Sequence, residues 1–192
     1  MFMRKFLLVL VCFLPALAVA HHEDKGGPGL RDATVLIVRH AEKASAGDGL
    51  SPQGEQRAIA YASYFDPWRD DRETLMPQRL IATRDSKESA RPRLTLTPLS
   101  QRIDLPIEQP FADDQVDELA KSLRRDNRAN VVLIAWHHGH IDKLIDALGG
   151  NAGHVIGRKS WPEDVYNWVV VLHFDHHGEL DGNRSRVVVE PF

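Results

Sequence analysis

Arg39 and His40 stand where an apolar run, Val35-Leu36-Ile37-Val38, gives way to charge, and Ala41, Glu42 and Lys43 follow them. An imidazole beside a guanidinium can attack an electrophile or hold an anion, because neutral imidazole offers a lone pair and arginine a fixed fork of donors. A second cluster, His137-His138-Gly139-His140, closes another apolar run, Val131 to Ala135. Between the two lies a basic stretch with Arg84, Lys87, Arg91 and Arg93. The competing bland reading is that each strand simply leaves the core, with polar residues where it meets water.

These residues need elements to position them. Both runs are rich in β-branched residues, as suits strands covered on both faces, and ligands of open α/β sheets gather at the carboxyl ends of such strands. After the first strand comes a small loop over 44–49. Ser51-Pro52 then reads as an N-cap followed by proline at the first helical position, with Ala58, Ile59, Tyr61, Ala62 and Phe65 as the apolar face. Gly54 near that helix start would allow a close backbone approach. A second strand is expected over 79–83, a helix opening from the polar stretch 84–89 and limited by Pro92 and Pro98, a helix over 113–123, a helix over 141–148, and two last strands over 167–174 and 186–189. Strands and helices alternate until that final hairpin. The expected fold is a three-layer α/β/α sandwich with a mostly parallel central sheet and an antiparallel edge strand.

Arg4 and Lys5, the apolar stretch from Phe6 to Leu14, and Ala18-Val19-Ala20 have the order of a secretory signal peptide over 1–20. The expected organisation is this signal, a polar, glycine-bearing flexible leader over 21–33, and one domain over 34–192. Export makes the expected location periplasmic or secreted, with no stable membrane insertion after cleavage. The single cysteine, Cys12, lies in the signal, so neither a disulfide nor a thiolate-bound metal is expected. Cleavage removes two of the 24 basic residues and no acid, taking the net charge from −3 to −5, which speaks against nucleic acid as partner. Several histidines, His21, His22, His137, His138, His140, His173, His176 and His177, invite a metal reading, but no carboxylate or cysteine completes a known spacing, and no metal or other cofactor is expected. Trp161, Tyr166 and Trp168 could line a substrate mouth or pack in the core.

Three motifs in order resemble the histidine phosphatase superfamily, whose fold is shared with the cofactor-dependent phosphoglycerate mutases. They are Arg39-His40-Ala41 with the helix start Leu50-Ser51-Pro52-Gln53-Gly54-Glu55-Gln56-Arg57-Ala58, then Arg91-Pro92-Arg93-Leu94-Thr95-Leu96-Thr97-Pro98-Leu99, and His138-Gly139 after a buried strand. Alanine replaces the family's glycine at residue 41, a variation associated with an Arg-His-Ala-Glu-Lys branch, and leucine replaces alanine at residue 96.

The resemblance implies phosphomonoester hydrolysis through a phosphohistidine on His40. It implies phosphate binding by Arg39, Arg91 and His138, with Arg84, Lys87 and Arg93 as competitors for the role of Arg91, and His137 or His140 as alternatives to His138. The implied general acid is Asp113 or Asp114, with Glu42 as runner-up. The implied partner is a small phosphorylated substrate or a phosphorylated component of the cell envelope. A binding module that keeps the anion pocket without turnover is the alternative.

Overall fold

The structure, a computed structural model, describes residues 29–126 and 128–192. The expected signal peptide and the first part of the leader lie outside the described residues. The end of the leader does not: Leu30 and Ala33 are buried in the core, and the Gly29 N–H donates to the Arg124 carbonyl at 2.6 Å. A Cβ on Gly29 would sit 2.3 Å from the Leu123 carbonyl oxygen. Residues 29–33, expected within the flexible leader, are therefore part of the packed domain, because Leu30 supplies apolar surface to it.

The chain runs β1 (Thr34–Arg39), α1 (Pro52–Tyr64), β2 (Trp68–Arg69), β3 (Thr74–Leu75), β4 (Arg79–Ala82), α2 (Arg91–Ile103), β5 (Ile107–Glu108), α3 (Val116–Leu123), β6 (Val131–Trp136), α4 (His138–Ala147), α5 (Ala152–Val155), β7 (Trp168–His173) and β8 (Arg186–Val189). Six strands form the main sheet in the order β5-β4-β6-β1-β7-β8. The first four are mutually parallel, β7 runs antiparallel to β1, and β8 closes the edge antiparallel to β7. β2 and β3 make a separate small hairpin that sequence periodicity did not announce.

Alternation along the strands sorts the core into two layers. Val35, Ile37, Val132, Ile134, Val170 and Leu172 face α3, α4 and α5, whereas Leu36, Val38, Leu80, Leu133, Val169 and Val171 face α1 and α2. That is why β1 reads as an unbroken apolar run: both its faces are covered, and each fully buried aliphatic chain contributes about 1.5–3 kcal/mol.

α1 starts where expected. The Ser51 hydroxyl accepts from the Gly54 N–H at 3.1 Å, and Pro52 occupies the first turn. Gly54 crosses the backbone of Glu42, where a Cβ would meet the Glu42 carbonyl oxygen at 2.3 Å, so the helix packs against the segment just after His40 only because residue 54 has no side chain. Ile59, expected on the apolar face, is 56% exposed. α2 opens later than the polar stretch 84–89, at Arg91, because Ser86 and Ser89 close a turn of their own. α3 also opens later, at Val116, leaving Asp113 and Asp114 in the preceding turn.

Candidate active site

Strand register builds the centre of the site. β1 and β6 are parallel neighbours with Arg39 opposite Trp136, so the next residues, His40 and His137, emerge side by side at the carboxyl edge. The His40 N–H donates to the Trp136 carbonyl at 2.9 Å and extends the ladder by one step. The two imidazoles meet edge to face, with centroids 4.9 Å apart. The expected second histidine, His138, is displaced from that position. It is already the first residue of α4, and its side chain is half-buried close to Arg39, Glu163 and Lys43. The ring against His40 is that of His137.

His40 is 3% exposed, and its Nδ1 lies 2.7 Å from the Ala41 carbonyl oxygen. A carbonyl only accepts, so Nδ1 carries the proton and Nε2 keeps a free lone pair. Burial, reinforced by His137, Arg91 and Arg39, pushes the His40 pKa down to about 3 against the pull of the Ala41 carbonyl. The ring is therefore neutral at ordinary pH. The Thr95 hydroxyl, fully buried on α2, accepts from the Ala41 N–H at 2.8 Å and donates to the Arg91 carbonyl at 2.8 Å, which ties the peptide that orients His40 to the helix that carries Arg91.

Among the basic residues of 84–93, Arg91 is the one whose charge bears on His40 and His137. Its Nη1 donates to the Glu88 carbonyl at 3.0 Å, while its buried Nε has no partner. Arg84 is exposed and donates to the Pro110 carbonyl, Arg93 pairs with Asp85, and Lys87 is exposed. Arg39 is placed differently from expectation. Its fork is turned into the 162–166 loop: Nη1 donates to the Glu163 carbonyl at 2.5 Å and to the Val165 carbonyl at 3.1 Å, and Nη2 donates to the Tyr166 hydroxyl at 2.9 Å. The guanidinium also lies over the Tyr166 ring, 3.7 Å from its centroid. Only Nε remains without a partner.

The carboxylates separate clearly. Both oxygens of Glu42 accept from Arg57, which also pairs with Glu190 at 2.7 Å, so Glu42 belongs to an ion-pair cluster that anchors α1 and is unsuited to donate a proton to substrate. Asp114 is exposed. Asp113 faces the site: its Oδ2 lies 2.8 Å from His140 Nδ1, its backbone carbonyl accepts from the Trp136 indole N–H at 3.0 Å, and its charge raises the pKa of His137 against the larger effect of burial.

Six buried side-chain polar atoms lack a hydrogen-bond partner among the described residues, and four of them, Arg39 Nε, Arg91 Nε, His138 Nδ1 and Asp113 Oδ1, belong to this one site. Buried polar atoms are normally satisfied, so this concentration sets the edge around His40 apart from the rest of the described residues as the candidate site. The first turns of α2 and α4 arrive at the same edge and add partial positive charge. Among the described residues no group of three or more His, Cys, Asp or Glu is arranged to hold a metal. Trp161 and Trp168 pack on each other, 5.4 Å between centroids, as core. Tyr166 stands beside the site, 6.3 Å from His40, at the edge of a cleft of about 530 Å³ lined by Glu42, Gln53, Arg57, Glu163, Asp164, Tyr166 and Asn167.

No protein-family model matches the sequence, and comparison with curated proteins gives no match. Solved structures do match. The protein histidine phosphatase SixA, determined with tungstate, shares 15% identity over 77% of this chain and 92% of its own, with a TM-score of 0.50. An assigned phosphohistidine phosphatase SixA from Agrobacterium tumefaciens shares 18% over 82% and 96%, with a TM-score of 0.52. An assigned alpha-ribazole-5'-P phosphatase from Escherichia coli shares 12% over 83% and 97%, with a TM-score of 0.56. The chain has the histidine phosphatase fold. At these identities the fold is what is common.

Within this histidine phosphatase fold the low pKa of His40 carries a stability consequence. The unfolded state binds a proton near 6.5 and the folded state only near 3, so the stability that His40 contributes is complete above 6.5 and is lost as pH falls toward 3, at about 1.4 kcal/mol per pH unit. The Glu190 carboxyl, pushed by burial up to about 7, acts in the opposite sense between 4.5 and 7. The difference between wild type and His40→Gln therefore isolates the imidazole. Urea unfolding should show the wild type losing roughly 2.5 kcal/mol more than the variant between pH 7 and pH 4.5; a difference that stays constant with pH would mean that His40 titrates as if exposed.

Proposed function

We propose that the chain hydrolyses phosphate monoesters through a phosphohistidine on His40. The observation that carries this reading is the free Nε2 of a buried, neutral imidazole surrounded by unpartnered buried donors. In the first step Nε2 bonds to phosphorus as the P–O bond to the alcohol breaks, and the departing oxygen takes a proton from the Asp113 carboxyl. In the second, water bonds to phosphorus, the N–P bond breaks, and Asp113 recovers a proton from the water. Arg91, through Nε and its free Nη2, and Arg39, through Nε, hold the non-bridging oxygens, and His137 stabilises the transferring group from beside His40.

The nucleophile is an imidazole and not a water molecule, so no step calls for a divalent ion to lower the pKa of water. The cleft beside Tyr166 carries three carboxylates, Glu42, Glu163 and Asp164, against one arginine, Arg57. That balance favours esters with one phosphate and a neutral or cationic alcohol over polyphosphorylated ones. Together with the export signal read over 1–20, it favours small monoesters met outside the cytoplasm.

Purified protein assayed on a panel of phosphomonoesters should hydrolyse some of them in the presence of EDTA, with inhibition by vanadate or tungstate. Arg91→Ala should cost about 2–4 kcal/mol of transition-state stabilisation, the scale of one lost oxyanion donor, whereas Arg84→Ala and Arg93→Ala should leave the rate nearly unchanged. Hydrolysis abolished by chelator and restored by a metal ion would overturn the mechanism. Tight binding of phosphorylated ligands without hydrolysis would favour the binding-module alternative.

A further inference from the structure

His140 lies outside every role assigned so far, yet its ring is committed to the carboxylate that faces the site. We propose that His140 is the positioning residue of the general acid, holding Oδ2 of Asp113 so that a protonated Oδ1 points at the departing alcohol. The proposal rests on the phosphohistidine reading above and extends it.

Three contacts restrain Asp113. His140 Nδ1 lies 2.8 Å from Oδ2, the Trp136 indole N–H donates to the Asp113 carbonyl at 3.0 Å, and the turn carrying Asp113 is closed by the Ala112 N–H donating to Gln115 Oε1 at 2.9 Å. A surface aspartate–histidine pair would need none of this, and such pairs contribute little. The decisive feature is Oδ1, which is excluded from solvent and has no partner although the side chain as a whole is 35% exposed. A bare carboxylate oxygen buried without a donor is costly. A proton on Oδ1, which the general-acid role requires, makes that atom a donor to a substrate oxygen, while Oδ2 accepts from the His140 Nδ1–H. When the proton leaves with the alcohol, the same N–H steadies the carboxylate that forms. His140 lies on the first turn of α4, and its contact with Asp113 joins that turn to the 112–115 turn.

The leaving group reads this role directly, because an acidic phenol departs without a proton and an alkanol does not. His140→Ala should slow hydrolysis of an alkyl phosphate about 10- to 100-fold, part of the usual contribution of a general acid, and change that of 2,4-dinitrophenyl phosphate by no more than about twofold. His140→Asn, which keeps a donor near the position of Nδ1, should restore most of the alkyl rate. Asp113→Asn should show the same split between esters, and the double variant with His140→Ala should be no slower than Asp113→Asn alone. Equal slowing of both esters, no slowing of either, or multiplicative effects in the double variant would overturn the role of His140 while wild type still forms a phosphoenzyme. Absence of any phosphoenzyme in wild type would instead overturn the underlying reading, and this inference with it.

Discussion

Replacing His40 with asparagine should lower phosphomonoester turnover by on the order of 10⁴-fold or more, the scale on which loss of a covalent nucleophile is felt. Asparagine can still reach the Ala41 carbonyl from a similar position, so the local fold should survive, but it supplies no lone pair able to bond to phosphorus. No neighbour is placed to replace it. His137 meets His40 edge to face and is not superposed on it, and Arg39 and Arg91 carry no nucleophilic atom. The measurement is kcat on the best ester of the panel, with thermal unfolding as the control for folding. A variant that folds like wild type and keeps more than a few per cent of its rate would remove His40 from the chemistry.

The next largest effect should fall on His137. His137→Ala should cost about 10²- to 10³-fold in kcat/KM, comparable to loss of one preorganised group that meets the transition-state charge, whereas His138→Ala should cost about tenfold or less. The geometric reason is the position of each ring: His137 lies 4.9 Å from His40, whereas His138 is half-buried beside Arg39 and Glu163. Steady-state kinetics of the two single variants decide it. The reverse ranking would mean that substrate draws His138 inward and that the ring beside His40 is there for packing.

Sequence patterning was most informative where one physical rule acts alone. The unbroken apolar strands β1 and β6, the Ser51-Pro52 helix start and the close approach at Gly54 all follow from local chemistry, and the structure has them. Arg91 was expected from the family resemblance, with Arg84, Lys87 and Arg93 left open beside it, and the Thr95 tether lies in the same motif although its hydrogen bonds could not be read from residue types. What escaped depends on register between distant segments. The position of His137 beside His40 follows from Arg39 lying opposite Trp136, a pairing fixed by two strands nearly a hundred residues apart, and counting two residues past each apolar run, Val38 and Ala135, would have found it. The capture of the Arg39 fork by the 162–166 carbonyls and the pairing of Arg57 with both Glu42 and Glu190 are tertiary contacts between segments with no shared pattern. The packed end of the leader was hidden for a similar reason, since Leu30 stands alone in a polar, glycine-bearing stretch and gives no periodic signal.

The loop that holds Arg39 also sets its orientation. With Nη1 and Nη2 satisfied by the Glu163 and Val165 carbonyls and by Tyr166, the guanidinium is fixed in orientation and presents Nε to the site, so the loop acts as a brace for the arginine. Preorganisation of this kind places the cost of ordering in the folded protein and not in the reaction.

Passage of phosphorus through His40 is read by acid-free rapid quench during turnover of an alkyl phosphate. Mass spectrometry of the digested protein should find one acid-labile, base-stable phosphoryl group on His40, present in wild type, accumulating when water attack is slowed, and missing in His40→Asn. Turnover at the wild-type rate with no phosphoryl group on the protein, or with the group on any residue other than His40, would contradict the account.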